Sequence, residues 1–175
     1  PFEEITMEDI AKRLELARAT LYLYFRNKNE IFTTLLTLGM GELQTAYEKV
    51  NASGIKDPVE NLKQMAFAFL QFYAQNSSYF DLIVTHRKEL LKDVSDDVGH
   101  EFETAGAAVI TPVANAYKAG VDAGKFRAVD PEKMAFLLRA VAIGMAVGFR
   151  EGNLKFPEDL MLAERLIMHG MLTTP

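Results

Sequence analysis

The sequence predicts an all-α protein. Apolar residues recur at spacings of three and four along almost the whole chain, and no stretch shows the alternation of a half-buried strand. Clusters of Pro, Gly and Asn interrupt this pattern at intervals of helical length. With 175 residues, of which 49% are hydrophobic, the chain can bury a substantial core, either as one domain or as a small head on a larger body.

The composition excludes several classes of protein. The chain has no cysteine, which rules out a disulfide scaffold and a thiolate metal site. No apolar run reaches the roughly 18 residues that span a bilayer, and no signal-peptide pattern is present, so we expect a cytoplasmic protein without a membrane partner. The net charge of −5 argues against a surface coated in nucleic acid but permits a local basic patch.

Capping residues and breakers set the predicted helices of the body. These helices run from Lys28 to about Val50, from Pro58 to near Asn76, from Ser78 to about Leu91, from Val94 to Asp122, from Pro131 to about Glu151 and from about Pro157 to Leu172. Proline lacks the N–H of a helix interior, so Pro112 must kink or divide the fourth of them. Thr111 is the predicted N-cap of the resulting new helix.

Residues 6–32 carry most of the functional information. Thr6 is a natural N-cap, and Asp9 stands three residues later, as in a capping box. The apolar face of the first short helix follows at i, i+3, i+4 and i+7, with Met7, Ile10, Ala11 and Leu14.

A second short helix follows a tight turn. Leu21 and Phe25, four residues apart, are predicted to face inward. The segment from Ala17 to Lys28 contains three basic residues and no acidic one. Two small helices with one basic outer face suit insertion into a DNA groove better than they suit catalysis.

At these residues the chain resembles the TetR family of bacterial transcriptional regulators. The family pattern is T-x-x-D-I-A, a turn, and then T-L-Y-x-Y/H-F-x-x-K-x-x-L/I-F. It is matched by Thr6, Asp9, Ile10, Ala11, Thr20, Leu21, Tyr22, Tyr24, Phe25, Lys28, Ile31 and Phe32. The resemblance implies a helix-turn-helix DNA-binding head (residues 1–46, including a connecting helix) on a helical-bundle body (residues 47–175) for ligand binding and dimerisation.

The chain departs from the family pattern in the turn and before it. Glu15 replaces the turn glycine, which costs about 1 kcal/mol if this position is left-handed. Ala17 replaces the serine that caps the second helix, and Ala19 replaces a glycine. Residues 1–4 match the loop that follows the first helix of the family's three-helix head, so we expect that helix to be missing from this chain.

The second helix carries the predicted DNA contacts. Its outward centre is mostly apolar and is expected to read thymine methyl groups and DNA shape. Arg18 is the predicted base-edge contact, whereas the hydroxyls and the lysine around it are expected to hold phosphates. The residues predicted to bind double-stranded operator DNA are Thr6, Arg18, Ala19, Thr20, Tyr22, Leu23, Tyr24 and Lys28.

The last two helices are predicted to form a homodimer. Ala140, Gly144 and Gly148 make a stripe of small residues at i, i+4 and i+8 that permits close helix approach. The final helix is apolar on more than one side, and such a helix must be covered on more than one side. Burial within the monomer core is the alternative. The family resemblance also points to a dimer formed by the last two helices.

The body contains many aromatic and methionine residues, which either pack as an ordinary core or line a pocket for a small apolar or amphipathic effector. Arg139 is the favoured anchor for an anionic ligand, because its neighbours in the sequence are apolar. The residues predicted to bind this effector are Phe69, Tyr73, Phe80, His86, Tyr117, Phe136 and Arg139.

No catalytic motif and no cofactor site are predicted. Asp97 and His100 have a spacing found in helical metal sites, but no second such pair exists, and acidic residues also suit the first turn of a helix. We therefore predict a ligand-responsive transcriptional regulator, released from its operator by the effector. The alternative is a helical enzyme or small-molecule-binding protein without DNA-binding function.

Overall fold

The computed structural model describes residues 2–173 and is built from helices, as the sequence predicts. A short 3-10 turn at Phe2–Glu4 precedes the helices. Within the described residues the α-helices are α1 (Met7–Arg13), α2 (Arg18–Tyr24), α3 (Lys28–Ala52), α4 (Pro58–Gln75), α5 (Ser77–Leu90), α6 (Asp96–Ala108), α7 (Ile110–Asp122), α8 (Pro131–Arg150) and α9 (Glu158–Met171). None of these helices is both long and apolar enough to cross a membrane.

The chain divides into two compact units. The first unit comprises Pro1–Glu42 and Asn76–Ala107, and the second comprises Leu43–Gln75 and Ala108–Pro175. The segment that carries α5 and α6 therefore clusters with the predicted DNA-binding head, although it is distant in the sequence. The functional division at residues 46 and 47 remains a prediction.

The main core of the first unit joins residues that are far apart in the chain. Phe2, Leu36, Leu90 and Phe102 are buried together, and side chains from α3 and α5 pack around them. Tyr79 lies against the open side of Gly39, and its hydroxyl donates a hydrogen bond to the Leu35 carbonyl at 2.8 Å. The glycine is required here because a Cβ would overlap the tyrosine ring.

The second unit has its core around α7. Tyr117 is fully buried and stacks on Phe126 with 5.1 Å between the ring centroids. Its hydroxyl donates to the Arg127 carbonyl at 2.8 Å, and Arg127 in turn donates its backbone N–H to the Met171 carbonyl at 2.8 Å. The segment after α7 thus fastens the end of α9.

The predicted N-cap at Thr111 is wrong. The long helical stretch does divide near Pro112, but α6 ends at Ala108 and α7 begins at Ile110. Pro112 therefore lies in the first turn of α7, where an N–H has no intrahelical partner and its absence is harmless. By contrast, the predicted start of α8 is confirmed, because Asp130 accepts the Lys133 N–H at 2.8 Å and Pro131 follows it.

Candidate DNA-binding surface and effector region

The first helix of the head begins with a capping box. The Thr6 hydroxyl accepts the Asp9 N–H at 3.1 Å, and the Asp9 carboxylate accepts the Thr6 N–H at 2.9 Å. The Thr6 hydroxyl also donates to the Asp9 carboxylate at 2.5 Å. This bond and the one from the Thr6 N–H lower the pKa of Asp9, so its negative charge is kept near the positive end of the helix dipole. The predicted cap is confirmed, and the cap occupies the Thr6 hydroxyl.

A Schellman turn ends α1 and leads into α2. The Leu16 N–H donates to the Ala11 carbonyl at 2.9 Å, and the Glu15 N–H donates to the Lys12 carbonyl at 3.3 Å. This turn needs one left-handed residue, which is Glu15 with φ 56°. The left-handed conformation on which the expected strain depends is therefore confirmed, in a residue with a Cβ where glycine is normal.

The two helices share a small core of their own. Met7, Ala11 and Leu21 are buried, and Ile10, Phe25 and Ile31 pack against them. The prediction that Leu21 and Phe25 face inward is confirmed. The apolar face of α1 does not extend to Leu14, however, because the helix ends at Arg13 and Leu14 is exposed at its C-cap.

The opposite side of α2 is open to solvent. Leu23 is 80% exposed and Tyr24 is 76% exposed, whereas the buried Leu21 faces the core. The Arg18 guanidinium donates to the Tyr22 hydroxyl at 3.3 Å and lies 3.7 Å from the Glu8 carboxylate. Both partners orient the arginine on this exposed side.

The remaining predicted DNA contacts on α2 follow the same geometry. Ala19 is exposed and Thr20 is partly exposed. Ala17 is the N-cap of α2 and gives no side-chain hydrogen bond, which confirms the expected loss of the cap. Six of the eight predicted contacts thus lie on one short helix, the candidate recognition helix.

Lys28 has a structural environment that the sequence did not reveal. Its ammonium group donates to the Phe2 carbonyl at 2.9 Å and to the Glu3 carbonyl at 2.8 Å. The same group lies 4.8 Å from the centre of the Phe2 ring. Two of its three donors are therefore used within the first unit, and a phosphate contact by Lys28 stays a prediction.

Comparisons with known proteins agree with this geometry. A family model described as bacterial regulatory proteins of the tetR family matches residues 1–35. The uncharacterised HTH-type transcriptional regulator YhgD of Bacillus subtilis is 22% identical over 172 residues, which cover 97% of this chain and 87% of YhgD. The solved structure of the TetR-family regulator PfmR from Thermus thermophilus has a TM-score of 0.77 at 24% identity, covering 97% of this chain and 90% of PfmR.

Residues 1–35 therefore match the DNA-binding head of the tetR family, and the chain as a whole has the fold of TetR-family regulators. Its fold is also similar to that of the regulator FadR from Bacillus subtilis, solved in complex with stearoyl-CoA, with a TM-score of 0.73 at 15% identity. That alignment covers 99% of this chain and 90% of FadR.

The predicted effector residues are divided between the two units. Phe80 and His86 belong to the first unit, where His86 lies 3.1 Å from the Glu3 carboxylate and against the Phe2 ring. Tyr117 is enclosed by the core contacts of the second unit. The structure therefore gives His86 and Tyr117 intramolecular partners, and their contact with an effector stays a prediction.

The other predicted effector residues belong to the second unit, namely Phe69, Tyr73, Phe136 and Arg139. Phe69 is buried, whereas Phe136 is 46% exposed. The Arg139 guanidinium lies over the Phe136 ring, 4.9 Å from its centre. Tyr47, which the sequence analysis missed, is also buried in this unit. Burial raises the pKa of the Tyr47 hydroxyl, and the nearby charge of Arg139 lowers it in part. No local motif marks Tyr47, because α3 and α8 are remote in the sequence.

The glycines in the small-residue stripe of α8 have different surroundings. A Cβ on Gly148 would lie 2.7 Å from Leu154 Cδ1, so this glycine accommodates a side chain of its own subunit. Nothing lies within 4 Å of a Cβ built on Gly144. The prediction that the whole stripe is free for a partner helix is therefore wrong at Gly148. Apolar side chains are exposed beside the remaining positions and on α9, namely Phe136, Leu137, Val141, Met161, Leu162 and Leu166.

We expect Glu15→Gly to stabilise the head by about 1 kcal/mol, because glycine adopts the left-handed turn without the Cβ penalty. Amide hydrogen exchange of residues 7–24 measures this local stability. Glu15→Ala is the matched control, since it removes the carboxylate but keeps the Cβ and the strain. Equal stabilisation by both substitutions would show that charge, and not backbone strain, determines the effect.

Proposed function

We propose that the chain is a TetR-family repressor that binds a palindromic operator as a homodimer and is released by an amphipathic effector. The observation that supports DNA binding most directly is the geometry of α2. Its inner side is held by Leu21, while its outer side presents Arg18, Tyr22 and Leu23 to solvent. Such a helix is suited to the major groove. As a regulator of operator DNA, the protein would act in the cytoplasm.

The exposed side of α2 supports a division of roles. Arg18 has the donor geometry that reads the O6 and N7 atoms of guanine. Ala19 and Leu23 offer apolar contacts to thymine methyl groups. Thr20, Tyr22 and Tyr24 supply hydroxyls for phosphate oxygens, and Thr6 and Lys28 are the further phosphate candidates.

An enzyme or carrier without DNA-binding function is the less supported alternative. Such a protein would not need an exposed α2 whose Arg18 is oriented by Tyr22 and Glu8. Exposing Leu23 and Tyr24 has no benefit for the fold of the monomer, since burial of such side chains stabilises a protein. A DNA partner gives these side chains a function.

In-vitro selection from random duplexes should yield a palindrome with half-sites about one helical turn apart, as expected for a two-fold dimer.

Arg18→Ala should lose roughly tenfold or more in affinity for the selected palindrome, because a bidentate base contact is worth about 1–3 kcal/mol. Fluorescence anisotropy on the selected duplex and on a scrambled duplex measures this. Arg13→Ala is the charge-matched control, since Arg13 is an exposed arginine of α1. It should leave the ratio of the affinities for the selected and the scrambled duplex unchanged. If Arg18→Ala weakened both duplexes equally, Arg18 would be a phosphate contact.

The dimer is supported by the apolar side chains exposed on α8 and α9. Leu137, Val141 and Gly144 lie at i, i+4 and i+7 of α8, which places them on one face. Leu162 and Leu166 repeat at i, i+4 on α9, and Leu166 is 65% exposed. Apolar patches of this extent mark interaction sites, and a second copy of the chain is the default partner for them.

Gly144→Leu should weaken the dimer by at least about tenfold, because a bulky side chain in a tight interface costs roughly 1–3 kcal/mol. Sedimentation velocity as a function of concentration measures the dimer fraction. Gly41→Leu, at a glycine of α3 that likewise has nothing within 4 Å of its Cβ position, should leave the dimer unchanged. A monomeric unmodified protein at micromolar concentration would contradict the proposal.

We propose an effector with an apolar chain and an anionic group. Arg139 supports the anionic group, since its guanidinium lies over the Phe136 ring and close enough to buried Tyr47 to affect its pKa. Phe69 and Tyr73 offer apolar surface in the same unit. The stearoyl-CoA bound by the similar FadR has both chemical features. An effector that releases the operator must bind one conformation more tightly, and about 1.4 kcal/mol of difference gives a tenfold loss of DNA affinity.

Stearoyl-CoA and stearate are the probes for this effector site, with octadecanol as the uncharged control. Arg139→Ala should weaken binding of the two anions by about tenfold, because a hydrogen bond to a charged group is worth about 1.5–3 kcal/mol. The same substitution should leave octadecanol binding unchanged. Isothermal titration calorimetry measures all three affinities. An equal loss for the alcohol would show that Arg139 acts through packing and not through its charge.

A further inference from the structure

Side chains at the start of α3 cap the end of α5. The Asn29 side-chain amide donates to the Glu89 carbonyl at 2.8 Å and to the Lys92 carbonyl at 2.9 Å. The buried Thr33 hydroxyl donates to the Leu90 carbonyl at 3.1 Å. The last carbonyls of a helix have no intrahelical donor, so α3 completes the hydrogen bonding of α5.

Asn27 performs two tasks at the residue before α3. Its Oδ1 accepts the Glu30 N–H at 3.1 Å, which is the contact of an N-cap. Its Nδ2 donates to the Asp93 carbonyl at 2.8 Å. One side chain thus starts α3 and holds the connection between α5 and α6.

The Glu30 carboxylate joins two connections that are distant in the sequence. The residue is 3% exposed. One oxygen accepts the Arg26 N–H at 2.7 Å, two residues beyond the end of α2. The other oxygen accepts the Ser95 N–H at 2.9 Å, directly before α6. Burial raises the pKa of Glu30, but the hydrogen bonds from Arg26 and Ser95 outweigh this, so the net pKa lies below the ordinary value.

We propose that Glu30 is a positioning residue for operator binding, which fixes the end of the recognition helix to the connection between α5 and α6. This inference rests on the proposed function of α2. The proposal assigns α5 and α6 to the unit that reads DNA. A conformational change in α5 would then reach α2 through the connection between α5 and α6. Four side chains of this region, Asn27, Asn29, Glu30 and Thr33, together form the α3 clamp.

A purely structural Glu30 would behave differently from a positioning residue. Loss of a structural contact lowers global stability, but the fraction that is folded still binds the operator normally. Loss of a positioning contact loosens α2 in the folded protein and lowers the preference for the operator over scrambled DNA. Local hydrogen exchange and the ratio of the two DNA affinities therefore distinguish the two roles.

The test compares Glu30→Gln with Glu42→Gln in the full chain, since Glu42 is an exposed glutamate on the same helix. Glutamine keeps one acceptor oxygen but turns an N–H group toward the second backbone donor. Amide exchange without DNA should become about tenfold faster, equivalent to about 1.4 kcal/mol, in residues 18–27 and 93–97 together. Residues 110–150 and the Glu42→Gln protein should be unchanged. The preference of Glu30→Gln for the selected palindrome should fall about tenfold.

Asn27→Ser provides a second variant that does not depend on the buried charge. Serine retains the N-cap acceptor for α3 but cannot reach the Asp93 carbonyl. It should accelerate exchange in the same two stretches, by a smaller factor than Glu30→Gln. If Glu30→Gln does not fold, this variant decides the question.

Two outcomes have separate meanings. The positioning role would be overturned if amide exchange in residues 18–27 of Glu30→Gln were unchanged, whatever the DNA affinity of this variant. If Glu30→Gln is unfolded, unchanged exchange in Asn27→Ser would have the same meaning. Failure of the unmodified protein to select any palindrome would contradict the proposed function. The exchange result would still decide whether the α3 clamp holds α2, because that measurement needs no DNA.

Discussion

The buried Glu30 carboxylate is the constraint on which the arrangement of the first unit depends. A charge removed from water is costly unless hydrogen bonds replace its hydration. Here the N–H groups of Arg26 and Ser95 supply them, at 2.7 and 2.9 Å. Since one of these groups follows α2 and the other precedes α6, satisfying a single charge holds two chain connections in place. The α3 clamp extends this link along the end of α5.

Support of this kind is required because the head is small. Helices α1 and α2 have seven residues each, and helices of this length are not stable alone in water. Their shared core contains only three buried residues, and the turn between them is strained at Glu15. The capping box at Thr6 stabilises one end of α1. Tertiary contacts add to this stability, and α5 and α6 belong to the same compact unit as α1 and α2.

The second unit shows how the same residue type serves different purposes. Gly120 lies beneath the Phe126 ring and Gly148 beneath Leu154, so both glycines make room for side chains of their own chain. Gly144 has open space beside it and lies among exposed apolar residues of α8. Of these three glycines, Gly144 alone has open space around its Cβ position, as the proposed dimer requires. In this unit the Arg139 guanidinium also lies over the Phe136 ring, and its charge acts on the buried Tyr47 hydroxyl.

Local chemistry is what the sequence by itself determined. The caps at Thr6 and Asp130, the left-handed turn at Glu15 and the inward face of Leu21 each depend on residues within one or two helical turns, and all were predictable. The Asn27-x-x-Glu30 pattern also signals the start of α3, since it has the residue types of a capping box. The family resemblance was readable for the same reason, because its motif is a short continuous segment.

Only the tertiary structure decided which partners these residues have across the chain. The partners of Glu30 and Asn29 on α5 and its following connection lie about 60 positions away, and no spacing rule links them. Burial likewise separated Gly148 from Gly144 and gave Tyr117 a core role, because the volume available to a side chain depends on segments that fold against it. Helix periodicity specifies which face is apolar, whereas the identity of the surface that covers this face is a property of the folded chain.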